Sequence, residues 1–205
     1  MAFPGFFMET MERIIVAGLG NPGQLYENTR HNAGFMVIDE LARRWDCLLA
    51  PGKWRTRSGQ VQWQGRRIVL LQPQTFMNLS GTAVREVLRF FKTPVVNLLV
   101  IHDDLDMAFA RLKLVRGGGA GGHKGIISIA QELADDGFYR LKIGIGRPGK
   151  NDVPAAMPIE RFVLSPFATE ERAVLDARLN DIIAGIEDWS RGLPDQAMSR
   201  LNAIK

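Results

Sequence analysis

The sequence predicts one α/β domain built on a mixed β-sheet flanked by helices. Three observations carry this. Short apolar runs of strand character alternate along the chain with apolar stripes at helical spacing. Two strand-like runs are joined at Gln64-Gly65, which is hairpin spacing and adds antiparallel pairing to the sheet. The chain of 205 residues suits a single core, and it contains no internal repeat, low-complexity tract or inter-domain linker. The domain is assigned to residues 12–205.

Residues 1–11 are expected to form a loosely ordered tail. They hold three Phe but neither a basic leading stretch nor a small-residue cleavage site, so they do not read as a signal peptide, and Met8 and Met11 are possible alternative starts. Arg13 to Gly18 then reads as a buried strand ending in a glycine turn. From Gly34 to Trp45, Ile38, Leu41, Ala42 and Trp45 make a helical stripe. Gln60 to Trp63 and Arg67 to Leu71 are the hairpin strands. Asn78 to Lys92 places Val84, Val87, Leu88 and Phe91 on one helical face. Asn97 to Ile101 is a strongly apolar strand, and Arg111 to Val115 a shorter alternating one. Gly125 to Leu133 aligns Ile126, Ile129, Ala130 and Leu133 as a helix, and Arg140 to Ile145 returns to strand. A Pro- and Gly-containing loop runs from Arg147 to about Pro158. Thr169 is expected to cap a long helix, with Glu170 and Glu171 in its first turn and Leu175, Leu179, Ile182, Ile186 and Trp189 inward.

Composition narrows the function classes. An apolar share of 46% with 23% charged residues is ordinary for a globular protein, and no apolar run approaches the ~20 residues of a membrane helix. The single Cys47 excludes an internal disulfide, fits a reducing cytoplasm, and in its helical context reads as a buried thiol. The net charge of +4 is unevenly spread: Arg43 to Arg67 holds seven basic residues against Asp46, whereas Thr169 to Arg191 is mixed and acid-rich. Such a basic side suits a phosphate-bearing partner, although charge alone fits a solvated surface equally well.

Five segments carry candidate chemistry. Gly18-Leu19-Gly20-Asn21-Pro22-Gly23 matches GxGxxG after a strand, but a dinucleotide site needs a helix starting at the third glycine and an acid ending a second strand. Here Pro22 and the polar run to His31 delay the helix, and Asp39 and Glu40 fall inside it. Asn21, a neutral donor and acceptor, is then left at a strand's carboxyl end. His31 stands just before a helix, while His102-Asp103-Asp104 follows a strand on the same sheet edge, where open α/β sheets bind ligands. A carboxylate there could hold one imidazole nitrogen and leave the other as a general base. Asp103, Asp104 and Asp106 with His102 and His123 could instead be read as a metal site, but no HExxH or Cys/His ligand spacing is present. No GxSxG occurs either, so water is the expected nucleophile of any hydrolase. The run from Gly117 to Gly125 is not a P-loop, because His123 and Gly125 flank Lys124. Its glycines suit a nest of N–H groups for a phosphate or a carbonyl, with Lys113, Arg116 and Lys124 around it. Finally, Phe76-Met77-Asn78-Leu79-Ser80-Gly81 precedes a helix. Capping by Asn78 or Ser80 would account for part of it, but not for the aromatic and the methionine.

Together these segments resemble the bacterial peptidyl-tRNA hydrolase family. The matching blocks are GLGNPG at Gly18 to Gly23, TRHNAG at Thr29 to Gly34, FMNLSG at Phe76 to Gly81, HDDLD at His102 to Asp106, GGGAGGHKG, and GIGRP at Gly144 to Pro148. Each is weak alone, but six in family order are specific. The resemblance implies a twisted mixed sheet and an enzyme that cuts the ester between peptide and tRNA, without metal or cofactor. It implies His31 as the base that activates water, Asp103 as its orienting partner, and Asn21 as the group that positions substrate and senses a blocked peptidyl end. Tyr26, Phe76 and Asn78 would bind the peptide–adenosine end. Arg116 and Lys142 are the nearest candidates for gripping the tRNA 5′ phosphate. Where this chain has Lys124 the family usually has a substrate-contacting Asn, so reduced discrimination is expected here. The implied partner is peptidyl-tRNA, met by a monomeric cytoplasmic protein with no membrane contact. A non-catalytic RNA-binding relative of the same fold is the alternative, and a nucleotide-dependent oxidoreductase the third reading.

Overall fold

The computed structural model describes residues 12–149 and 157–204. The expected N-terminal tail and the centre of the loop expected from Arg147 to Pro158 lie outside the described residues. Seven strands form one mixed sheet: β1 (Arg13–Gly18), β2 (Ala50–Gly52), β3 (Thr56–Trp63), β4 (Arg66–Pro73), β5 (Leu98–Asp104), β6 (Leu112–Arg116) and β7 (Tyr139–Gly144). Their order is β2-β3-β4-β1-β5-β7-β6. The inner four run parallel, with β1 between β4 and β5, and β5 beside β7. The hairpin at Gln64-Gly65 joins β3 antiparallel to β4, and β2 and β6 add antiparallel strands at the two edges.

The alternation of β1 divides the core. Ile14 and Val16 face α1 (Ala33–Arg44), α5 (Thr169–Ser190) and α6 (Pro194–Asn202), through Val37, Leu41, Ile182, Ile186 and Leu201. Ile15 and Ala17 face α2 (Ser80–Phe91) and α3 (Lys124–Leu133), through Val84, Leu88, Ile126 and Ile129. Helices on both faces of buried parallel strands explain why β1 and β5 read as continuous apolar runs. Among the described residues, no helix is long and apolar enough to cross a membrane.

Several expectations need correction. β5 continues through His102, Asp103 and Asp104, so His102 is a buried strand residue rather than part of a polar junction. The short β2, the one-turn α4 (Ile159–Val163) and α6 carry too little periodic apolar pattern to stand out in the sequence. Thr169 is the first residue of α5 and not its cap; the turn closes instead through Glu171, whose carboxylate accepts from the Ala168 N–H at 2.7 Å. Leu179 is only half-buried. Neither Asn78 nor Ser80 caps α2, which follows a 3₁₀ turn at Met77–Leu79, and the Ser80 hydroxyl donates back to the Met77 carbonyl. Gly23 starts no α-helix: 3₁₀ turns at Gln24–Tyr26 and Arg30–Asn32 intervene before α1. This removes the geometry a dinucleotide site requires.

Candidate active site

The carboxyl ends of β1 and β5 open into a cleft of about 660 Å³. Its position is set by close backbone packing. Gly34, at the start of α1, lies against the end of β1 so tightly that a Cβ there would stand 2.4 Å from both the Ile101 carbonyl oxygen and the Leu19 nitrogen. That contact brings the segment carrying His31 and Asn32 over the sheet edge. Arg30 fixes it from the other side, pairing with Glu171 at 2.6 Å and donating to the Pro166 carbonyl and the Ser165 hydroxyl. Its guanidinium also sits 4.4 Å from the centre of the Phe162 ring.

His31 Nδ1 lies 2.9 Å from Asp103 Oδ1 and 3.1 Å from Oδ2. An ionised carboxylate only accepts, so Nδ1 carries the proton and Nε2 of the neutral ring keeps its lone pair. Asp103 is 2% exposed. Burial raises its pKa, but the facing His31 and His123 imidazoles outweigh burial and hold the carboxyl well below the usual carboxylate range. His123 Nε2 stands 3.1 Å from Asp103 Oδ1, while its Nδ1 accepts from the Ile126 N–H at 3.3 Å and caps α3. Those two bonds fix the opposite tautomer in His123, with the proton on Nε2. The ring centroids of His31 and His123 are 5.0 Å apart, and His102 packs edge-on to His123 at 4.7 Å. Burial, reinforced by His123, lowers the His102 pKa to about 3, so that ring is neutral, with Nδ1–H on the Asp103 carbonyl.

Asn21 is fixed as firmly. Asn32 brackets its backbone, accepting from the Asn21 N–H at 2.8 Å and donating to its carbonyl at 3.0 Å. The Asn21 Oδ1 accepts from the Met77 N–H at 2.9 Å, which settles the orientation of the amide. Nδ2 has no acceptor among the described residues, and Asn21 lines the cleft. Tyr26, Phe76, Asn78 and Lys124 line it as well, together with Leu105, Ile159 and Leu164. Phe76 is 55% exposed, a large ring left uncovered at the entrance.

Two of the nine residues singled out in the sequence are not among the lining residues. Arg116 is exposed at the end of β6 and donates to the Gly137 carbonyl at 3.1 Å. Lys142, on β7, pairs with Asp104 at 2.9 Å, and Asp104 itself lines the cleft. The glycine run is organised by a residue the sequence reading passed over. Arg140 is buried on β7 and donates to the carbonyls of Gly117, Gly118 and Gly119. Gly117, Gly118, Gly121 and Gly122 all have positive φ, so the run needs glycine for its conformation. His123 and Asn32 were also missed as supports. His123 beside the glycine run was visible in the sequence, whereas the pairing of Asn32 with Asn21 depends on the fold.

Of the cluster considered for a metal, Asp103 and His123 come together and the others do not. Asp104 turns to Lys142, Asp106 pairs with Arg147, and His102 bonds to backbone. Among the described residues the one group with ligand-like spacing is His31, Asp103 and His123. Their facing atoms already make the hydrogen bonds described above.

The family model for peptidyl-tRNA hydrolase matches residues 15–205. The chain is 46% identical to the peptidyl-tRNA hydrolase of Desulfotalea psychrophila over 93% of its own length and 97% of the relative's. It is 47% identical to that of Geotalea daltonii, covering 92% and 95%. The crystal structure of the Acinetobacter baumannii enzyme superposes with a TM-score of 0.87 at 34% identity, covering 95% of this chain and 97% of that one.

Proposed function

The chain belongs to the peptidyl-tRNA hydrolase family, and from that premise we propose that the cleft at His31 is where it hydrolyses the ester between peptide and tRNA. The observation that carries the proposal is the His31–Asp103 pair in the cleft lining, which occupies Nδ1 and leaves Nε2 with its lone pair. In the first step His31 Nε2 takes a proton from water as the water oxygen bonds to the ester carbonyl carbon. Charge moves to the carbonyl oxygen, and Asp103 stabilises the imidazolium that forms. When the tetrahedral adduct collapses, the bond to the terminal ribose oxygen breaks and that oxygen recovers the proton from His31. Peptide and free tRNA are the products. An activated ester needs no more than this, so the step requires no metal.

Asn21 is assigned to substrate. With Oδ1 held by Met77, Nδ2 can only donate, which suits a peptide carbonyl next to the reacting ester. A free aminoacyl end lacks that carbonyl and presents an ammonium instead. Tyr26, Phe76 and Asn78 are assigned to the peptide–adenosine end, and Lys124 to a contact at the start of α3. Lys142 and Arg116 are assigned to the 5′ phosphate, beyond the cleft. One chain supplies all of these groups, which supports a monomer, and a free, buried Cys47 fits a reducing cytoplasm.

The test is single-turnover hydrolysis of peptidyl-tRNA by His31→Ala. A fall of about 10²–10⁴ in rate with tRNA affinity retained is expected for loss of a general base; turnover at the wild-type rate would refute the assignment.

A further inference from the structure

We propose that a second cavity, across Asn21 from His31, receives the part of the peptide beyond its first amide, with Gln74, Asn28 and Glu27 as its contacts. This rests on the reading above that the ester lies at His31 and the first peptide carbonyl at Asn21.

The cavity measures about 660 Å³ and lies over the ends of β1, β4 and β3, against α1. Among the described residues, Asn21 alone lines both cavities. Elsewhere close neighbours divide between them: Tyr26 and Phe76 line the first, Glu27 and Gln74 the second. The strand order gives the pair a direction. Asp103 is on β5, Asn21 follows β1, Gln74 follows β4, and Arg57 is on β3, and these strands are successive neighbours in the sheet. Lys142, assigned to the tRNA, is on β7, on the far side of β5. A substrate laid along this edge with its tRNA over β7 and its ester at β5 therefore runs its peptide past Asn21 toward β4 and β3. Strands lie about 4.8 Å apart. That puts β3 about 10 Å beyond β1, the reach of about three extended residues.

The free groups in the cavity suit a peptide. Its arginines are engaged: Arg57 pairs with Asp39, Arg43 with Glu40 and Arg172 with Asp176. Gln72 is filled as well, accepting from Arg57 and donating to the Phe35 carbonyl. Three polar side chains are left. Gln74 makes one long bond, 3.4 Å from Nε2 to the Gln72 carbonyl, and its Oε1 has no donor among the described residues. The Asn28 amide has no partner among them either. Glu27 is exposed, and of the charged side chains in the lining it alone has no ion pair among the described residues. Free amides match the N–H and C=O groups of an extended peptide whatever its side chains, and a carboxylate matches its terminal ammonium. An RNA phosphate would find the arginines already paired and meet Glu27 as a like charge.

The experiment measures kcat/KM for oligoglycyl-tRNAs of two to six residues, with the amino end free or acetylated. For wild type, kcat/KM is expected to rise up to about four residues, one at the ester and about three toward β3, and then to level off. Gln74→Ala is expected to reduce the advantage of the four-residue substrate over the two-residue one about fivefold, as for loss of one hydrogen bond. Glu27→Gln should lower kcat/KM for the free four-residue substrate about threefold relative to its acetylated form, and by less as salt rises. A wild-type rate independent of length overturns the proposal. So does an unchanged length advantage and end preference in both variants at wild-type unfolding midpoints. The underlying reading fails separately: if wild type cleaves none of these substrates, the cleft at His31 is not the esterase site and the second cavity has no peptide to hold.

Discussion

His102 shows how one buried side chain links the site to stability. It is 2% exposed and neutral, its pKa lowered to about 3 by burial and by His123, against about 6.5 in an unfolded chain. Between those values the unfolded state binds the extra proton, so His102 favours unfolding as pH drops. Its contribution is intact above about pH 6.5 and is lost progressively as pH falls toward 3. Wild type is expected to lose about 2 kcal/mol more than His102→Gln between pH 7 and pH 5, measured by urea unfolding. Equal losses would mean that the ring is not held neutral. Much at this scale was legible in the sequence, because His31, Asp103 and Asn21 each sit where a strand or helix ends. The second donor to Asp103 was visible as a candidate beside the glycine run, but its role was not: His123 is 20 residues away along the chain, and only the packing of α3 on the sheet makes it a hydrogen-bond partner.

At the scale of elements, the join between β1 and α1 carries the site. Gly34→Ala places a methyl group 2.4 Å from the Ile101 carbonyl oxygen, so α1 must shift and take His31 with it. The expected result is a loss of about 1–3 kcal/mol in stability. A fall in turnover larger than the unfolded fraction explains should accompany it. Wild-type turnover in a destabilised protein would show that the two are not coupled. Period and length revealed the main elements, since α1, α2, α3 and α5 each bury an apolar stripe. The misses have physical causes. β2 is exposed and has no buried alternation, and α4 has too few residues for a stripe to show. The role of Arg140 was hidden because an arginine in a strand reads as a surface residue, and its partners are carbonyls that leave no mark on the sequence.

Across the whole molecule, the sheet ends in two antiparallel edges that need protection. At β6 the cover comes from the C-terminal helix: Asn202 accepts from the Leu114 N–H at 2.7 Å and donates to the Leu114 carbonyl at 3.1 Å. An edge strand with these groups free invites pairing with another chain. Asn202→Ala is expected to cost about 1–2 kcal/mol, read by chemical denaturation, and to raise aggregation on heating. No change in either would place the protection elsewhere in α6. The mixed α/β architecture followed from strand–helix alternation and one hairpin. The strand order and the capping of β6 by α6 did not, because a few side-chain contacts far apart in sequence decide them.

The measurement closest to the central claim is hydrolysis of N-acetyl-aminoacyl-tRNA beside unblocked aminoacyl-tRNA, with EDTA present. Release of the acetyl-amino acid alone is the result expected of the proposal that His31 supplies the base and Asn21 reads the blocked carbonyl. Loss of activity in EDTA, restored by a divalent cation, would contradict the water-only mechanism. Equal cleavage of both substrates would contradict the role given to Asn21.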